Sequence, residues 1–176
     1  MKTSRTMKQK TALPPPLVPR RSGKPAREVL KRRPGFLIRR LHQIHTSLFA
    51  EECEEFGITP VQYSLMTALL HHGEADQVSL AGEVGIDRAN TTDVLRRLEE
   101  RGLIERKMSA EDSRAKLCTL TREGRKMAMA MEKAVRRAHG RTVALLPPAE
   151  RKAFLGSLRR LVDAYNDLGR TWLRLK

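Results

Sequence analysis

The stretch SLAGEVGIDRANTTDVLRRLEERGL, residues 79–103, decides the fold. Ser79 to Val84 is a short helical segment, stopped by Gly85. Asp87 follows two residues later, a carboxylate placed to cap the next helix. From there Thr91, Val94, Leu95 and Leu98 recur at the three- and four-residue steps of one helical face, and Gly102 ends the run. With that face inward, Arg88, Ala89, Asn90, Thr92, Asp93 and Arg96 point outward. These residue types suit the edges of base pairs. Arg forks onto guanine, Asn pairs with adenine, and Ala or the Thr methyl packs on the thymine methyl.

The periodicity then changes from helical to alternating. Leu103–Lys107 and Lys116–Leu120 read as two short strands bridged by the polar segment 108–115, longer than a tight hairpin needs. Short helix, tight turn, amphipathic helix and two strands make a winged helix-turn-helix, which lays its second helix in the major groove.

Here the segment resembles the MarR family of bacterial transcriptional regulators. The resemblance rests on Leu80-Ala81, on the run from Leu98 to Ile104, on Asp112-Ser113-Arg114 in the loop, and on Leu120-Thr121 with Gly124-Arg125 after the second strand. It covers about Gly35 to Trp172 and implies a role for several residues. Arg114 would enter the minor groove, with Asp112 aiming its guanidinium. Arg106 and Lys107 at the base of the wing would contact phosphates. The family is homodimeric through its terminal helices, so the expected target is a near-palindromic double-stranded DNA site with half-sites about one turn apart.

Working outward, Leu37, Leu41, Ile44 and Leu48 give an amphipathic helix ending at Gly57. Thr59-Pro60-Val61-Gln62 is a helix start, with Thr capping, Pro at the first position and Gln reaching back. Val61, Leu65, Ala68 and Leu69 are that helix's buried face, with Gly73 as its stop. Thr121 caps another long helix, whose inward side carries Met127, Met131, Ala134, Val135 and Ala138. Pro147 and Pro148 break it. Beyond them Phe154, Leu158, Leu161, Tyr165, Leu168, Trp172 and Leu175 repeat at 4-3-4-3-4-3, a seam that calls for a partner helix. The expected dimer interface is therefore Leu37, Leu41, Leu158, Leu161, Tyr165, Leu168 and Trp172. The fold class is mainly α with a small β wing. The expected divisions are an arm at 1–33, a dimerisation helix at 34–57, the winged domain at 58–121 and dimerisation helices at 122–176.

Composition agrees with a nucleic-acid partner. The 176 residues carry 35 Lys and Arg against 20 Asp and Glu, a net charge of +15, with a mean hydropathy of −0.50. Residues 1–33 hold eleven of the cations, one acid and five prolines, so this arm carries +10 and is expected to be disordered when free. Pro14 to Pro16 interrupt the one apolar region that a secretory signal would need, and no stretch has the length of a membrane span. Two cysteines make no disulfide scaffold, which points to a reducing cytoplasm, and the family resemblance implies a protein acting on the bacterial nucleoid. No phosphate loop, nucleophile elbow or metalloprotease pair is present, so neither an enzyme nor a resident cofactor is expected.

Members of the family commonly sense a small aromatic acid in a cleft between the dimer helices and the winged domain. The resemblance places Arg39, Arg40, His42, His45 and Phe49, with Tyr63 and Met66, around that cleft. An Arg beside His and Tyr suits a carboxylate or phosphate together with a ring. The wording of residues 36–45 and 57–63 also resembles members tied to aromatic-acid degradation, some answering to CoA thioesters. The alternatives are a non-specific nucleoid protein, a metal sensor built on the histidines, or a redox sensor at Cys53. Glu51, Glu52, Glu54 and Glu55 surround that cysteine and would blunt its thiol.

Overall fold

A computed structural model of the chain describes residues 26–108, 116–169 and Leu173. Among these residues, seven α-helices and three strands follow in the order α1 (Ala26–Leu30), α2 (Pro34–Glu52), α3 (Pro60–His72), β1 (Glu74–Asp76), α4 (Gln77–Val84), α5 (Arg88–Glu100), β2 (Ile104–Met108), β3 (Lys116–Leu120), α6 (Arg122–Thr142) and α7 (Pro148–Ala164). The chain divides into two compact units, Met1–Leu37 and Ile38–Lys176, with α2 running across the boundary.

In the first unit, the expectation of an arm without structure up to residue 33 needs correction. Ala26–Leu30 is helical, a proline-free run whose Glu28 pairs with Lys31 at 2.9 Å, one turn away.

The second unit is assembled on α3. Thr59 and Gln62 form a capping box, Thr59 Oγ1 accepting from Gln62 N and Gln62 Oε1 accepting from Thr59 N. Leu65, Met66 and Leu69 of this helix are fully buried among α4, α5, α6 and the sheet. The three strands are antiparallel in the order β1-β3-β2, with Ala75 opposite Cys118 and Arg106 opposite Cys118 on the other side. The strand β1 was not expected. Its three residues have no apolar alternation, and they are extended because β3 offers an open edge. It also sets the start of α4 two residues before Ser79, since Asp76 at its end caps that helix through Val78 N and Ser79 N.

Gly85 sits in the left-handed region at φ 71°, where a Cβ costs strain, and it turns α4 into α5. Asp87 caps α5 through Asn90 N. Thr91, Leu95 and Leu98 are fully buried and Val94 half-buried, the face expected of them. At the other end of the wing, Thr121 caps α6 through Gly124 N and donates to Gly102 O. Gly124 lies so close to the chain that an added Cβ would stand 1.9 Å from Leu103 O.

The continuous seam expected through Leu175 also needs correction. The last helix stops at Ala164, and residues 166–168 form a 3-10 turn. Just beyond the helix, Asn166 Nδ2 donates to Leu173 O and its Oδ1 accepts from Leu173 N. Leu158 and Leu161 remain on α7, Tyr165 caps it, and Leu168 falls on the 3-10 turn. Trp172 and Leu175 lie outside the described residues.

Candidate nucleic-acid interface and effector cleft

The outward face of α5 carries every residue expected of it. Arg88, Ala89, Asn90, Thr92, Asp93 and Arg96 are all exposed. Several are held in place by neighbours. Asn90 Nδ2 donates to Asp87 Oδ2 at 2.6 Å, and Arg96 Nη1 donates to Glu100 Oε1 at 2.6 Å with Asp93 at 3.6 Å. Thr92 Oγ1 donates to Arg88 O at 2.9 Å and accepts from Gln77 Nε2. These exposed contacts orient side chains and add little stability.

At the base of the wing the two expected phosphate contacts divide. Lys107 is exposed and lies 3.0 Å from Glu105. Arg106 is only 20% exposed and gives Nε and Nη2 to Glu99 Oε2, so it ties β2 to α5. The guanidinium's hydrogen bonds hold the Glu99 carboxyl below its usual range. Asp112 and Arg114 lie outside the described residues. The sequence reading missed Arg101, whose Nη1 and Nη2 donate to Gly57 O at 2.6 Å and Phe56 O at 2.9 Å. Those bonds pin the end of α5 to the junction of α2 and α3.

Of the residues expected around an effector, His45, Phe49 and Tyr63 come together. His45 and Phe49 meet edge to face at 6.4 Å between ring centres, and Phe49 and Tyr63 lie 6.2 Å apart. His45 Nδ1 bonds Thr142 Oγ1 at 2.8 Å, and its ring stacks on His139 at 5.1 Å. Burial, then His139 and His42, push the His45 pKa down. Tyr63 OH donates to Glu132 Oε2 at 2.8 Å, and burial pushes its own pKa up.

Tyr63 and His139 open onto a cleft of about 640 Å³ among α3, α4 and α6, shared with Thr67, His71, His72 and Glu83. The remaining expected residues are elsewhere. Met66 is fully buried in the core, because α3 is enclosed on most sides. Arg39, Arg40 and His42 are exposed on α2, and Arg40 lines a separate groove with Ile44 and Leu48. The histidines at 71, 72 and 139 were not anticipated as lining. His71 and His72 sit at the end of α3, where only the packing of α4 against it gives them a shared cleft.

Cys53 is 1% exposed, and burial followed by Glu52 pushes its thiol pKa up, which opposes a reactive thiolate. Among the described residues, no three His, Cys, Asp or Glu side chains gather as a metal site would require.

Helix, turn, exposed polar helix and hairpin wing define a winged helix-turn-helix protein. Comparison with known proteins narrows this. The family model for the MarR family matches residues 58–116. The transcriptional repressor NicR of Pseudomonas putida is 28% identical over 135 residues, spanning 77% of this chain and 85% of NicR. Among solved structures, PcaV, a transcriptional regulator of Streptomyces coelicolor seen with its natural ligand, superposes with a TM-score of 0.72 at 32% identity. That match covers 77% of this chain and 95% of PcaV. BpsR of Bordetella bronchiseptica, whose DNA binding is regulated by 6-hydroxynicotinic acid, superposes with a TM-score of 0.72 at 30% identity, covering 76% of this chain and 95% of BpsR. The chain belongs to the MarR family and is a MarR-type transcriptional regulator.

Proposed function

We propose that the protein is a homodimeric, sequence-specific repressor that reads a near-palindromic operator and is released by an aromatic acid or its CoA thioester, controlling genes of aromatic-acid catabolism. The observation that carries the DNA reading is α5: one face is buried at Thr91, Leu95 and Leu98 with Val94 half-buried beside them, and the other presents six exposed side chains suited to base edges. Wing residues Lys107 and Arg114 supply phosphate and minor-groove contacts in this reading, with Asp112 aiming Arg114 and Arg106 setting the wing against α5.

Support for the dimer comes from α7. None of its residues is buried, and Leu155, Leu161 and Val162 are 40–52% exposed, a surface that water does not favour over 17 residues. Exposed Leu37 and Ile44 on α2 fit the same role. For the effector, support comes from the cleft beside Tyr63 and His139 and from the ligand of BpsR. Its described lining holds no Arg or Lys, so the ring N–H groups of its histidines are donors it offers a carboxylate. Such a regulator works in the cytoplasm on chromosomal DNA.

The test is in two steps. Duplexes selected from a random pool should share a near-palindrome that outcompetes scrambled DNA at fixed salt. Hydroxylated aromatic acids or their CoA thioesters should then raise the melting temperature and release that duplex. Equal affinity for selected and scrambled DNA would refute the sequence-specific reading.

A further inference from the structure

Gln77 is the first residue of α4, outside the recognition helix, yet its side chain crosses to the start of α5. Its Nε2 donates to Thr92 Oγ1 and to Arg88 O, the latter at 3.3 Å. The Thr92 hydroxyl in turn donates its one hydrogen to Arg88 O at 2.9 Å. The position of Gln77 is itself fixed. Asp76 immediately before it is paired to Leu117 of β3 and caps α4 through two backbone N–H groups.

We propose that Gln77 is a positioning residue for DNA recognition: by occupying the Thr92 hydroxyl, it leaves the Thr92 methyl as the group offered to the major groove, making Thr92 a reader of the thymine C5-methyl. The inference rests on the reading of α5 as the helix that enters the groove. The physical argument is a count of hydrogen-bonding capacity. A hydroxyl has one donor and two acceptor sites. Here the donor is committed to a backbone carbonyl and one acceptor to an amide. A hydroxyl free to rotate would bond any base edge and discriminate poorly, whereas one held on both sides presents its carbon. The thymine methyl is the apolar feature of the major-groove edge that cytosine, adenine and guanine lack. Gln77 therefore influences which base is preferred while being tied to the protein rather than to DNA.

The experiment uses full-length protein and the duplex selected from a random pool. Each thymine of the half-site is replaced in turn by uracil, which removes the C5-methyl and keeps every hydrogen-bonding group. At one thymine per half-site, uracil should weaken wild-type binding roughly fourfold, the worth of burying one methyl-sized group. Thr92→Ser, which removes the methyl, should abolish that difference, and Thr92→Val should keep it. Gln77→Ala should reduce the ratio below twofold, and Gln77→Glu should match it, because a carboxylate has no hydrogen to donate. In the Thr92→Val background Gln77→Ala should change nothing. Melting curves of each variant establish that it is folded.

If no sequence is selected from the pool, the sequence-specific reading itself fails. A selected site whose thymine-to-uracil ratio is unchanged by Gln77→Ala overturns this inference alone. So does an effect of Gln77→Ala that persists in Thr92→Val, since Gln77 would then be reading a base itself.

Discussion

Arg96 stands between two carboxylates, with Glu100 on one side and Asp93 on the other. Both carboxylates are exposed, so a guanine that replaces them has little to displace. Arg96→Ala should therefore weaken operator binding roughly tenfold or more and relax preference at one base pair, as read by competition with single-base operator variants. Arg114→Ala should weaken binding by about 1–3 kcal/mol with the melting temperature unchanged, if its place in the wing is as the family resemblance implies. His45 makes a different prediction. Its folded pKa lies below the ordinary 6.5, so the unfolded chain takes up a proton more readily than the folded one. The stability this group contributes is full above about pH 6.5 and is lost as the pH falls through its lower folded value. Melting temperature should drop between pH 7.5 and 5.5, and His45→Gln should flatten that drop while still able to bond Thr142.

At the scale of the element, Gly124 makes the sharpest prediction. A methyl added there meets a backbone carbonyl at 1.9 Å, which no rotamer change relieves. Gly124→Ala should cost about 1–3 kcal/mol in urea unfolding, although alanine is the better helix former at an exposed site. The elements differ in how far sequence reveals them, and the reason is the range of the forces involved. Thr59 with Gln62, Asp87 and Thr121 announce their helices because a cap acts within three residues. The inner faces of α5 and α6 follow from spacing alone. By contrast, β1 owes its form to pairing with a strand some forty residues on, and Asn166, past the end of α7, bonds a residue seven further along. The candidate site shows the same division. The outward residues of α5 were legible as one face of a helix, whereas the histidines of the cleft belong to helices that only tertiary packing brings together.

For the whole molecule, the unburied face of α7 makes assembly the first thing to perturb. Leu161→Asp should place a charge where the partner helix is expected, shifting the sedimenting species to monomer and removing operator binding with it. Charge along the chain is just as uneven, and residues 1–25 carry seven Lys and Arg with no acid. Their removal should lower the slope of log affinity against log salt by about 0.9 for each phosphate they had neutralised, equally on operator and scrambled DNA. An unchanged slope in the salt titration would assign those residues no part in binding.

The two ends of α6 are fastened to different things. Its start is tied to the wing by Thr121 and by the close approach of Gly124 to Leu103, and its far end to α2 by Thr142 with His45 and by Arg141 with Glu51 and Glu52. Twenty-one residues at 1.5 Å each make a rod of about 32 Å. A tilt of about 5° at the His45 end carries the other end through roughly 2.8 Å over that length. That is close to the length of one hydrogen bond, so α6 is long enough to turn a small displacement at its His45 end into a shift of contact size beside the wing.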